Sequence, residues 1–156
     1  MTSPIPSGFH SLTPGIIVDG AARALDFYER AFGAEVLLRL TMGDAVVHAE
    51  VRIGDSMVYI NDPLPQFGLV APAADRSEWP SSLLIYCEDV DALHAAAVAA
   101  GATEITPVGD QFHGDRVGSV LDPWGHRWII ATRIEEMSAE EMQARLDAWM
   151  ASGSPH

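Results

Sequence analysis

The stretch RVGSVLDPWGHRWIIAT, residues 116–132, decides the fold. Two apolar, β-rich runs, 117–121 and 128–131, flank the tetrapeptide Asp122-Pro123-Trp124-Gly125. Proline presets one turn dihedral and glycine relieves another, so the stretch predicts a β-hairpin closed by a tight turn. Working outward, residues 83–87 read as a strand, Asp89 as a helix cap, and residues 90–100 as an alanine-rich helix stopped by Gly101. Leu93, Ala96, Ala97 and Ala100 form its expected buried stripe. Residues 102–107 are a further strand, and 108–115 a loop leading into the hairpin.

The same series occurs earlier in the chain. Residues 12–18 read as a strand and Asp19 as a cap, and Ala21, Leu25, Tyr28 and Phe32 recur at helical spacing before Gly33. Residues 34–40, 44–53 and 56–60 follow as strands, the last two joined by a turn at Gly54-Asp55. In 44–53 the alternation sets Val46, His48, Glu50 and Arg52 on one face, with Ala45, Val47, Ala49, Val51 and Ile53 on the other. Gly33 and Gly101 lie 68 residues apart, and Asp19 and Asp89 lie 70 apart. Helix stops and caps repeating at nearly one period predict a duplicated βαβββ unit in an α+β domain. The domain spans 12–134, with modules 12–62 and 81–134.

Between them, residues 63–80 form a proline-rich linker carrying Phe67, Leu69 and Val70, which suits a lid, a partner contact or a loop tucked on its own domain. Residues 135–150 read as a C-terminal amphipathic helix. Ser138 and Glu141 make its capping box, and Met137, Met142, Leu146, Trp149 and Met150 lie along one side.

Composition narrows the partners. Twenty-two acidic against nine basic residues give a net charge of -13, which argues against nucleic acid and anionic lipid surfaces. A cationic ligand would be attracted, although solubility alone accounts for such a charge. An apolar fraction of 48% supports a core. No apolar run reaches membrane-spanning length, and residues 1–11 lack the basic start and apolar stretch of a signal peptide. Cys87 is the one cysteine, so no internal disulfide forms; this fits a reducing cytoplasm. There is no phosphate-binding glycine loop, CxxC or GxSxG motif.

Four stretches together carry a resemblance: GAARALDFYERAFGAE (20–35), VVHAEVRIGDSMVYINDP (46–63), IYCEDVDAL (85–93) and GDQFHGDRVGSVLDPWGHRWIIAT (109–132). The chain resembles the vicinal oxygen chelate superfamily, the glyoxalase/bleomycin-resistance/extradiol-dioxygenase group, and within it the PhnB-like, glyoxalase-like branch. The resemblance implies modules whose mixed sheets curl into a cup, and a homodimer in which modules pair within a chain or across subunits. It also implies a divalent metal held on the first and last strands of each module. The matching positions here are Thr13, Tyr59, Ser82 and Ile129. None is a strong ligand, so the usual metal site is expected to be vacant.

The candidate site residues follow from the same two modules. His48 and Glu50, two apart on one strand face, suit a metal, an acid–base pair, a polar ligand or a structural pair. They are the tentative catalytic residues, and the metal ligands if a metal is bound. Tyr59, Phe112, His113 and Arg116 are the candidate ligand-binding residues. Arg116 either holds an anionic group or stitches its loop down, and its neighbour Asp115 is expected to bond elsewhere. His126 is expected to be satisfied against the turn backbone, and Cys87 to be buried and inert. The leading function is binding of a small organic molecule in an aromatic-lined cup. The alternatives are a glyoxalase-type lyase or isomerase, metal-dependent or using His48 and Glu50, and a non-catalytic structural protein.

Overall fold

The structure is a computed structural model that describes residues 1–153. The first module runs β1 (Gly15–Ile17), α1 (Ala21–Phe32), β2 (Glu35–Met42), β3 (Ala45–Ile53) and β4 (Ser56–Asn61). The second runs β5 (Leu83–Tyr86), α2 (Val90–Ala100), β6 (Thr103–Asp110), β7 (Asp115–Leu121) and β8 (Arg127–Arg133), and α3 (Ala139–Ala151) follows. The two mixed sheets have the equivalent orders β1-β4-β3-β2 and β5-β8-β7-β6. In each, the first pair is parallel and the other two are antiparallel. The chain is therefore α+β, two tandem βαβββ modules and a C-terminal helix.

One face of each sheet is covered by its helix, and the two helices pack on each other. A single hydrophobic cluster draws on both modules. Its centre is aromatic: the rings of Tyr28 and Phe32 from α1 lie 5.4 and 4.7 Å from Trp128 on β8. The opposite face of each sheet carries no helix, and there large apolar side chains stay exposed, among them Leu38, Leu40, Leu84 and Tyr86.

The backbone alters several local expectations. Asp19 does not cap α1. Gly20 occupies that position with a positive φ of 109°, and the Gly20 and Ala21 amides donate to Asp62 Oδ1 at 3.0 and 2.8 Å. Asp62 Oδ2 also accepts from the Val46 amide, so one carboxylate at the end of β4 ties the helix start to β3. In the second module Asp89 does cap α2, accepting from the Ala92 amide. The alternation in β3 is broken as well. Leu40 pairs with His48 but Thr41 with Val46, so Val47 bulges. That bulge turns Val46 into the core beside Ala49, Val51 and Ile53, leaving His48, Glu50 and Arg52 on the helix-free face.

On α2 the buried residues are Val90, His94 and Ala97, not the apolar stripe alone. Gly118 makes room for the imidazole, since a Cβ there would lie 2.8 Å from both His94 and Val108. β6 continues to Asp110, through residues expected to be loop, because it is an edge strand that absorbs Pro107 at a register shift. β1 is shorter than the 12–18 run, pairing only over Gly15–Ile17.

The linker folds back onto the hairpin turn. Gly125 has φ +91°, and a Cβ there would meet the Ala73 carbonyl oxygen at 2.3 Å. Phe67 and Val70 remain exposed on it. α3 has the expected capping box between Ser138 and Glu141. It buries no residue, although Trp149 lies 5.8 Å from Phe112. No helix among the described residues is long and apolar enough to cross a membrane.

Candidate functional site

Two polar groups occupy the helix-free faces, one on each module. On the first, register brings Tyr59 of β4 opposite Glu50 of β3, one pair away from His48. His48 Nε2 lies 3.3 Å from Glu50 Oε1, and the imidazole meets the Tyr59 ring edge-on at 4.6 Å. Phe9, from the segment preceding β1, packs on the other side of Tyr59 at 5.9 Å. His48 and Glu50 keep 30% and 24% of their side chains exposed, so the pair is open to a ligand or a proton.

On the second module the organising residue is Asp115, 3% exposed. It accepts from Tyr86 Oη at 2.8 Å and from Arg133 Nε, and His113 Nδ1 lies 3.6 Å away. Burial alone would raise its pKa, but the hydrogen bonds from Tyr86 and Arg133 outweigh that and hold the carboxyl below its ordinary value. Beside it lies a cavity of about 290 Å³ lined by module-two residues, including Leu84, His113, Ser119, Arg127 and Ile129.

The residues expected at the site thus fall into two sets: His48, Glu50 and Tyr59 are brought together on one module, Phe112 and His113 on the other. Phe112 meets His113 edge-on at 5.3 Å and is partly covered by Trp149. Arg116 lies on the helix-covered side. It grips both carboxylate oxygens of Asp91 on α2, at 2.8 and 2.9 Å, and Asp110 at 2.8 Å. These bonds raise its already high pKa. That is the stitching alternative, and Asp115 does take other partners because adjacent strand residues face opposite ways. Cys87 is half-buried rather than buried, near Thr132.

The residue that sequence reasoning missed most clearly is Asp122, seen there only as a turn position. Its carboxylate is 1% exposed and accepts four hydrogen bonds: from Tyr28 Oη at 2.6 Å, Trp128 Nε1 at 2.8 Å, and the amides of Trp124 and His126. Burial first, then the adjacent Asp122, pushes the Tyr28 phenol well above its ordinary pKa. His126 also leaves its own turn: its Nε2 donates to the Ile17 carbonyl on β1 at 2.7 Å. These two contacts tie module to module. An aspartate heading a Pro-Gly turn signals the amide bonds, whereas the Tyr28 and Trp128 partners are visible only in three dimensions.

The metal positions can be tested on the same strands. Tyr59 pairs with Gly15, and Ile129 with Leu84, two residues on from Thr13 and Ser82 respectively. None of these six positions offers a good donor to a divalent ion, and among the described residues no three His, Cys, Asp or Glu side chains converge. The family's metal does not fit here.

The pairing of these modules corresponds to a known family. Residues 8–130 match the model of the Glyoxalase/Bleomycin resistance protein/Dioxygenase superfamily. The chain belongs to this superfamily. An uncharacterized protein of Mycobacterium bovis is 38% identical over 141 residues, which is 88% of this chain and 93% of its own length. Among solved structures, TioX from Micromonospora shares the fold with TM-score 0.64 and 24% identity, over 80% of this chain and 99% of its own. A PhnB protein from Bacillus cereus does so with TM-score 0.59 and 19% identity, over 79% and 99%. At these identities the two structures bear on the fold alone.

Proposed function

We propose that this member of the superfamily is a PhnB-like, glyoxalase-like protein that binds a small organic molecule on the helix-free sheet faces, as a cytoplasmic homodimer. The observation that carries the reading is the composition of those faces. Each combines exposed apolar side chains with a small group of oriented polar ones: His48, Glu50 and Tyr59 on one, and the Asp115 group beside its cavity on the other. Ligand sites are built this way, mostly apolar with a few placed polar groups. A second copy covering Leu38, Leu40, Leu84 and Tyr86 would turn the open faces into a cup, and this is the support for the dimer. The motif set in residues 20–132 supports the branch, and the lone Cys87 suits the cytoplasm.

One observation favours a second reading, a lyase or isomerase of glyoxalase type. His48 and Glu50 are hydrogen-bonded and open, the arrangement of a base and its orienter. Fragment screening by amide-resolved NMR on the full chain separates the alternatives. Binders should perturb residues on the helix-free faces, and His48→Ala should weaken those seated on the first module. Binders that map only to other surfaces would defeat the proposal, and an empty screen would favour a structural role.

A further inference from the structure

We infer that the cavity on the second module is an anion site, built to hold the carboxylate of a small apolar organic acid between Arg127 and Ser119. This deepens the binding reading above and rests on it. Ser119 is 2% exposed, and its Oγ is buried without a hydrogen-bond partner. Buried hydroxyls are nearly always satisfied, so an orphan lining a cavity points to a ligand atom.

Arg127 lines the same cavity, with its Nε buried and unpartnered. All nine basic residues of the chain are arginines. Arg52, Arg116, Arg133 and Arg145 grip carboxylates. Half-buried Arg127 has only the face of Trp79, 5.4 Å from its guanidinium carbon, and no acidic partner among the described residues. Other arginines also lack a carboxylate partner, but Arg127 is the one, among the described residues, with a buried guanidinium nitrogen left without a hydrogen bond.

The register makes the two groups cooperate. Arg127 pairs with Leu121, and Ile129 pairs with Ser119, so Arg127 and Ser119 are diagonal neighbours on one sheet face. Such positions lie about 7–8 Å apart at the backbone, within reach of a long guanidinium arm. A carboxylate there would take hydrogen bonds from Arg127 and from the Ser119 hydroxyl. Its apolar body would rest on Leu84, Val117 and Ile129. Asp115 shares the cavity but does not repel an anion strongly, because Arg133 neutralises it and Tyr86 also donates to it. His113 adds a polar rim next to Asp115. The volume, about 290 Å³, suits a compact acid rather than a large antibiotic.

The test uses sodium benzoate and its uncharged isostere benzamide, titrated into the full chain and followed by amide and indole NMR. Benzoate should shift the Ser119 and Arg127 amides and the Trp79 indole saturably, and bind about tenfold more tightly than benzamide. Arg127→Gln should abolish that preference and Ser119→Ala should reduce it, while Arg145→Gln should leave it intact. Equal binding of the two probes at these residues would overturn the anion site and leave the binding face standing. No shift there with benzoate would also overturn it, and shifts confined to His48 and Tyr59 would then locate binding on the first module. An altered fold of Arg127→Gln would show as shifts throughout its spectrum, and Ser119→Ala then decides.

Discussion

Asp122 and Ser119 are buried on opposite sides of the second sheet, and they differ in whether their polar atoms find partners. On the core side the Asp122 carboxylate, almost wholly buried, accepts four hydrogen bonds from both modules. On the helix-free side the Ser119 hydroxyl and the Arg127 Nε are buried without partners. A buried polar group that is satisfied fixes a structure, and one that is left open costs stability unless something external completes it. The contrast separates residues that hold this domain together from residues that wait for a ligand.

The largest test of that contrast is Asp122→Ala. It strands the Tyr28 hydroxyl and the Trp128 indole in the core and removes the acceptor of two part-buried turn amides. We expect a loss of about 3–5 kcal/mol in chemical denaturation. A loss below about 1 kcal/mol would mean that the two modules do not depend on this pin.

Asp115→Asn comes next, at about 1–3 kcal/mol, since it weakens the bonds to Arg133 and Tyr86. Its sign with pH is fixed by the depressed carboxyl pKa. A group whose folded pKa lies below the unfolded value stabilises fully above that unfolded value, about 3.9, and loses its contribution as pH falls through the folded one. The stability gap between wild type and Asp115→Asn should therefore be constant near neutrality and narrow below about pH 4. A gap that does not change on acidification would contradict the assignment.

A smaller effect is expected at the periphery. Ser138→Ala removes the cap of α3 and should cost about 1 kcal/mol of local helix stability, read by hydrogen exchange across Ala139–Ala151. The smallest is the most discriminating: Ser119→Ala should be neutral or stabilise slightly, because it deletes an unsatisfied hydroxyl rather than a bond. A clear destabilisation would show that Ser119 belongs with the structural side of the comparison.

Much of this architecture was legible in the chain, because it depends on local signals. Helix periodicity around Phe27 and Tyr28, glycine stops at Gly33 and Gly101, and the DPWG turn are all short-range, and they recur at one period. Local signals failed where a partner came from far away. Asp62 replaced Asp19 as the cap of α1, a choice made by the β4 end rather than by the helix sequence. The Val47 bulge moved Val46 between faces, which strict alternation cannot foresee. In the site, His48 and Glu50 could be paired from strand spacing, while Tyr59 joins them through the β3–β4 register. The Asp115 group, and the buried, unpartnered Nε of Arg127, are properties of a folded sheet. In sequence Arg116 is a ligand-binding candidate and Arg127 is not singled out. Only the strand face separates the stitched arginine from the open one.

Native mass spectrometry of the gently purified full chain bears straight on the ligand-binding cup completed by a second copy. A dimer without a bound metal that retains or takes up a small organic molecule is expected. A monomer that binds no organic molecule, or a stoichiometric divalent ion held in the absence of any organic mass, would contradict it.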